Sequence, residues 1–262
     1  RTLLAAIDWS YQLLDPVEQR VFRTLAVFAG GWTLDAARAL VADLSLGGDL
    51  DPLETMAALT GKSLVHRTDG PEGSPRWSML QPLRGYALVQ LRASPEEWHT
   101  PHAWQYGWAL RLLDTLRSTP AAIDAELGTL RGVLEWTLAD GQPAQALDLA
   151  AQLWPFWRAR THLFEGRQWL CGVLGAPGAA PDRRRARVLH GAAMLAQQQG
   201  DFVEMRRMLT EALSILTSCG DEDEVAVAIA VASSDLARVL GMEGELDEAA
   251  RLAGDSLAVL RG

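Results

Sequence analysis

The chain has 262 residues, enough for two ordinary domains. Hydrophobic residues make up 48% of it, so a sizeable core can form, while the net charge is -9 and the pI about 5.1. That balance excludes a generally basic, phosphate-binding surface, although it leaves room for a local basic patch. No continuous apolar run approaches the roughly 18 residues of a membrane span.

The pattern from the start is helical. Leu3, Leu4, Ile7, Tyr11 and Leu14 recur at spacings of three and four, one face of a helix. Asp15 then caps a second helix with Pro16 at its first position and Glu18 in its first turn. Val21, Phe22, Leu25 and Phe28 form its apolar face, and Gly30-Gly31 is expected to stop it. Thr33 caps a short helix over 34–41, a Gly- and Asp-rich loop follows, and 53–59 makes another short helix. The chain begins at Arg1, within a helical pattern and without an initiator Met, so it reads as part of a longer protein.

The period then changes. Ser63 to Arg67 reads as a strand, Asp69 to Pro75 as a turn-rich loop, and Arg76 to Met79 as a second strand. Short helices followed by a two-stranded hairpin are the pattern of a winged helix. A long helix follows from about Pro82 to Arg92.

Beyond Pro95 the chain reads as all helix, over roughly 95–118, 121–139, 142–159, 162–174, 182–199, 202–218, 223–242 and 245–261. The acidic run Asp221 to Glu224 reads as a capped helix start, and Asp182 followed by three arginines as another. Gly200 to Met208 resembles Gly244 to Leu252 at an offset of 44, with a weaker copy at Gly141 to Leu149. A helix pair cannot bury its own apolar face, so such units must stack. The turn phrase resembles that of tetratricopeptide repeats, and the longer offset implies longer helices than the usual repeat has. The expected architecture is mainly α. A winged-helix domain spans 1–94, a helical linker with the first helix pairs 95–180, and an α-solenoid of tetratricopeptide-like antiparallel pairs 181–262.

Candidate chemistry is sparse. Gly61-Lys62-Ser63 looks like the tail of a P-loop, but Met56 stands where that loop needs Gly, and helix precedes strand rather than the reverse. His99 and His102 lack a third ligand and read as surface or helix-entry residues. Cys171 and Cys219 are isolated in sequence and read as small buried hydrophobes, as suits a reducing cytoplasm. No nucleophile–base set has a recognisable spacing, so no enzymatic activity is expected of this chain. Ten Trp accompany only five Phe and three Tyr. They read first as helix-packing anchors and second as a stacking surface. The densest stretch holds Trp154, Trp157, Arg158, Arg160 and Trp169, with Pro155 expected to kink its helix. These residues are candidates for an effector or partner groove, through stacking and cation–π contacts. A packing hub is the competing reading.

Several phrases together carry a family resemblance. They are Leu4-Ala-Ala-Ile-Asp-Trp-Ser-Tyr11, Leu13-Leu-Asp-Pro16, Phe22 to Leu34, Lys62-Ser-Leu-Val65, Trp77-Ser-Met-Leu80, Leu83-Arg-Gly-Tyr-Ala87, Leu130 to Trp136, Leu153 to Trp157 and Glu165 to Leu170. In order and spacing they resemble the winged-helix segment of bacterial STAND-type regulatory ATPases, the AfsR and LuxR/MalT-like transcriptional regulators. The resemblance implies a P-loop, Mg²⁺ and ATP or ADP in a nucleotide-binding domain outside this chain. That domain would be the winged helix's own partner, and an unidentified effector or protein would bind the helical repeats. No cofactor is expected in this chain, and no membrane partner. The related apoptotic and plant resistance ATPases carry a Met-His-Asp nucleotide sensor where this chain has Met79, Leu80 and Gln81. Leu80 cannot bond a phosphate, which leaves Gln81 and Arg84 as the implied contacts to the nucleotide domain. Direct reading of nucleic acid is not expected, because 53–60, the stretch in place of a recognition helix, has no Arg or Lys.

Overall fold

Capping chemistry fixes the helix starts of the N-terminal half. The computed structural model describes residues 3–46, 51–70, 73–116, 120–220 and 223–261. Helix α1 spans Leu3–Gln12 and α2 Pro16–Leu25. Asp15 Oδ1 accepts the Val17 and Glu18 amides at 2.8 Å, and Glu18 returns the bond to the Asp15 amide at 3.0 Å, a complete capping box. Thr33 caps α3 (Leu34–Asp43) and Asp51 caps α4 (Pro52–Gly61). The Gly- and Asp-rich loop over 47–50, two residues of the hairpin loop (71–72) and the first half of the acidic run (221–222) lie outside the described residues.

Three strands, not two, build the sheet. β1 (Trp32–Thr33) and β2 (His66–Asp69) both pair antiparallel with β3 (Pro75–Ser78), in the order β1-β3-β2. Trp77 stands opposite both Trp32 and Arg67. Helix, strand, two helices and a two-stranded wing, closed by α5 (Gln81–Arg92), make a winged helix. Its core holds Phe22, Phe28, Trp32, Met56, Leu64 and Leu91. Of the apolar face expected for α1, Ile7, Tyr11 and Leu14 are buried, but Leu3 and Leu4 are exposed.

Gly30-Gly31 does not stop α2, which ends five residues earlier. The turn after Leu25 is held instead by side chains: Arg84 Nε donates to the Ala26 carbonyl at 2.9 Å and Gln105 Nε2 to the Val27 carbonyl at 2.9 Å. The two glycines serve close approach. A Cβ on Gly31, whose φ is +83°, would lie 2.6 Å from the Trp77 carbonyl oxygen, and one on Gly30 would lie 2.8 Å from the Thr129 nitrogen. The first strand also begins later than its β-rich composition implies. Ser63 takes a left-handed conformation (φ 58°) and Leu64 N closes back on the Leu59 carbonyl, so 63–65 finish α4 and pairing starts at His66.

Contacts divide the chain into two compact units, residues 1–136 and 137–262. The first continues past the wing with α6 (Pro95–Leu116), followed by α7 (Pro120–Ile123), a 3₁₀ turn (Asp124–Glu126) and α8 (Leu127–Ala139), which together replace the single helix expected over 121–139. His102 is buried here rather than on the surface. Its Nδ1 lies 2.7 Å from the Trp98 carbonyl and its ring stacks on Trp136 at 5.1 Å. Among the described residues no cluster of three metal-ligating side chains exists.

The second unit holds three antiparallel pairs: α9 (Pro143–Ala159) with α10 (Leu163–Leu174), α11 (Arg183–Gln198) with α12 (Phe202–Ser218), and α13 (Asp223–Glu243) with α14 (Leu246–Arg261). Helix α9 runs on through Pro155. Each pair turns on a residue with positive φ: Thr161, Gly200 and Gly244, as does the α8–α9 turn at Gly141. Each of these turns also closes an amide onto a carbonyl five residues back, for example His162 N to the Trp157 oxygen at 2.9 Å, the Schellman pattern. Cys171 falls off the buried stripe Gly166, Leu170 and Val173 of α10, so it is exposed rather than buried; Cys219 is half-buried, and both thiols are free. Helix α13 is long and apolar enough to cross a membrane by length and composition, with a mean hydropathy of 1.7 in its best window. It packs against α12 and α14 as a repeat helix.

Thr161 is the exception in this series, because a β-branched residue is strained in the left-handed region (φ 59°). Thr161→Gly should therefore raise stability by about 0.5–1 kcal/mol, the relieved strain exceeding the added chain entropy. Urea unfolding checks this; a loss of stability would mean that the Thr161 hydroxyl bond to the Arg160 carbonyl (2.6 Å) matters more than the strain.

Candidate functional site

The α4 helix and the wing are the parts of a winged helix that meet a target. Asp51 fixes the start of α4, and Thr55, Met56 and Leu59 are drawn into the core. That leaves Leu53, Glu54, Ala57 and Gly61 facing outward, none of which carries a positive charge. Lys62, the C-cap of α4, turns back and donates to Glu18 at 2.6 Å. With Ser63 left-handed and a strand next, Gly61-Lys62-Ser63 ends a helix and makes no phosphate loop. In the wing Arg67 is exposed, but Arg76 is buried against Glu126, with contacts of 2.5 and 3.1 Å.

The positions implied as contacts to a nucleotide domain separate. Leu80 is the N-cap of α5, exposed and without a capping side-chain bond, and Gln81 is exposed beside it. Arg84 is turned inward onto the Ala26 carbonyl. Burial pulls its pKa below the usual arginine value, and the charge of Glu135 partly opposes that. Around it α1, α2 and α5 are tied by polar contacts. The Tyr86 hydroxyl donates to Asp8 at 2.7 Å, and burial, with that bond second, pushes the phenol above its ordinary range. Arg23 reaches Glu97 at 2.7 Å and the Tyr11 hydroxyl at 3.3 Å.

The aromatic and basic candidates of the second unit are divided by α9. Trp157 is buried, and its side chain approaches Gly166 so closely that a Cβ there would lie 2.8 Å from the Trp157 Cβ and 3.0 Å from its ring Cγ. Trp154 packs over Gly191 of α11 in the same way and meets His190 edge-on at 5.8 Å. Arg158 and Arg160 are exposed at the end of α9, and Trp169 is half-buried on α10. Packing against α10 and α11 occupies both tryptophans of α9, and Trp157 offers no surface to a ligand. The glycines that receive the rings, Gly166 and Gly191, were the missed signal: a Gly inside a helical pattern marks close approach of something large.

A groove of about 640 Å³ runs instead along α12, lined among others by Arg185, Arg206, Arg207, Thr210, Ser214 and Ile215. Its arginines are already engaged. Arg185 pairs with Glu211, Arg207 with Glu204 and Glu211, and Arg206 with Glu243 and Glu245. Three guanidiniums thus face four carboxylates, so the groove has no surplus positive field for an anion.

Comparison with known proteins matches these parts. Residues 14–92 match the family model of the winged helix-turn-helix domain. Over 209 residues, 75% of this chain, the sequence is 37% identical to "Putative HTH-type transcriptional regulator Rv0890c" of Mycobacterium tuberculosis and equally to "Putative HTH-type transcriptional regulator Mb0914c" of Mycobacterium bovis. In fold it is similar to the crystal structure of BtubC (BKLC) from P. vanneervenii, with a TM-score of 0.53 at 14% identity, covering 95% of this chain and 92% of that one. The chain spans 23% of the length of the two mycobacterial regulators it matches.

Proposed function

We propose that this chain is the regulatory and sensor segment of a larger transcriptional regulator of the STAND ATPase type. Its winged helix docks on protein rather than DNA, and its helical repeats receive an effector or partner protein. The observation that carries this reading is the outward face of α4, Leu53, Glu54, Ala57 and Gly61, which has no cation to hold a phosphate and only the Glu54 carboxylate to meet a base edge. The similarity to HTH-type transcriptional regulators supports a role in transcription. ATP or ADP and Mg²⁺ would belong to a nucleotide-binding domain outside this chain, and the whole would work in the cytoplasm. The chain itself performs no chemistry. It acts as a clamp and sensor arm whose state shifts when a partner binds its two conformations unequally.

A gel-mobility titration of the chain against duplex DNA tests the central point. The expected result is no retardation at moderate salt. Salt-sensitive retardation that is lost on Arg67→Ala would overturn it and favour a DNA-reading wing. In the same preparation ATP turnover should be absent.

A further inference from the structure

The two junctions between successive helix pairs are closed by the same device. Arg167 stands six residues beyond the left-handed Thr161 of its turn, and Arg206 stands six beyond Gly200. Each guanidinium leaves the second helix of its own pair and clasps the turn of the next. Arg167 donates to Gln199 at 2.6 Å and to Asp201 at 2.8 Å, the residues flanking Gly200. Arg206 donates to Glu243 and, at 2.7 Å, to Glu245, the residues flanking Gly244. In the third pair the equivalent position is Ala250. The clasped side chains are only partly exposed, 22% for Arg167 and 40% for Arg206.

We propose that these arginine clasps set the coupling between helix pairs, and that the Arg206 clasp decides whether α13–α14 opens with the rest of the second unit or on its own. A stack of repeats is held by the sum of pair stability and nearest-neighbour junctions, so a weakened junction creates a new opening unit. Helix α13 forms this junction by packing on α12, while α14 packs on α13. Only Ser256 of α14 is buried, while Leu246, Leu257, Val259 and Leu260 are exposed. Besides apolar packing and the Arg206 clasp, α13 is held to α11 by His190 Nε2 and Asp235 at 2.8 Å. A single isolated surface ion pair adds little. Each clasp here is two-armed, and it fixes the Schellman turn on which the next pair folds.

Native-state hydrogen exchange on the full chain reads this directly. Arg206→Ala should speed exchange of the protected amides of α13 and α14 about tenfold and leave α9 to α12 unchanged. Arg207→Ala is the matched control, because that guanidinium pairs within α12 with Glu204 and Glu211 and should alter neither group. The charge swap of Arg206→Glu with Glu245→Arg should recover part of the lost protection. Unchanged exchange in α13–α14, or a uniform rise over α9 to α14, in the Arg206→Ala chain would overturn the proposal.

Discussion

Trp157→Ala is expected to destabilise the chain by about 4 kcal/mol, within the range for truncating a buried Trp. The side chain is fully buried, and it fills the space that Gly166 leaves open opposite it, with Leu195 of α11 close by. Removing it leaves a void between α9, α10 and α11 that three packed helices cannot close. Trp157→Phe should cost much less. It keeps most of the ring, and it removes an indole N–H that is buried without a hydrogen-bond acceptor. The pair of variants separates a packing hub from a ligand groove. In a groove, both substitutions would weaken binding and leave urea unfolding nearly unchanged; in a hub, alanine shifts the unfolding midpoint strongly and phenylalanine only slightly.

The sequence disclosed helices well because their starts are written in local chemistry. Asp15, Thr33 and Asp182 each cap the helix expected of them, through backbone amides within three residues. Period and turn residues also located the wing and the helix pairs, with Gly200 and Gly244 marking turns that the structure makes at those positions. What stayed hidden depends on partners far away in the chain. β1 is two residues long, and its pairing with β3 joins positions 45 apart. Gly30-Gly31 looks like a helix stop until the approach of Gly128 and Thr129 is seen. Nothing local announces that Arg167 and Arg206 each reach into the next pair. The facing of the groove candidates was hidden for a related reason. Alternating Trp and Arg along one segment says nothing about which face of the helix each occupies, and Trp154 and Trp157 turn inward while Arg158 turns out.

Glu126→Ala should have a comparable effect on the first unit, a loss of about 3–5 kcal/mol. Both partners of the Arg76–Glu126 pair retain only 10% of their side-chain exposure, and the contact is two-armed, with Nη1 to Oε1 at 2.5 Å and Nη2 to Oε2 at 3.1 Å. Alanine would leave a buried guanidinium with little beyond a long 3.4 Å bond to the Gly31 carbonyl. An unpaired buried charge is what makes breaking such a pair costly, whereas replacing both partners by apolar groups is often neutral. Arg76→Met with Glu126→Leu should therefore recover most of the stability that Glu126→Ala loses. Urea unfolding of the three variants decides this: a loss below about 1 kcal/mol for Glu126→Ala would place the pair among weak surface bridges. The position of the pair also bears on function. Arg76 lies in a wing strand, where a DNA-reading protein would place a cation on a phosphate, and here it is spent on the 3₁₀ turn before α8. Thr129 extends the same junction, its hydroxyl accepting the Gly30 amide at 3.3 Å and donating to the Gly31 carbonyl at 3.2 Å. The wing is thereby fastened to the helices that follow it, as the clamp proposed above would require.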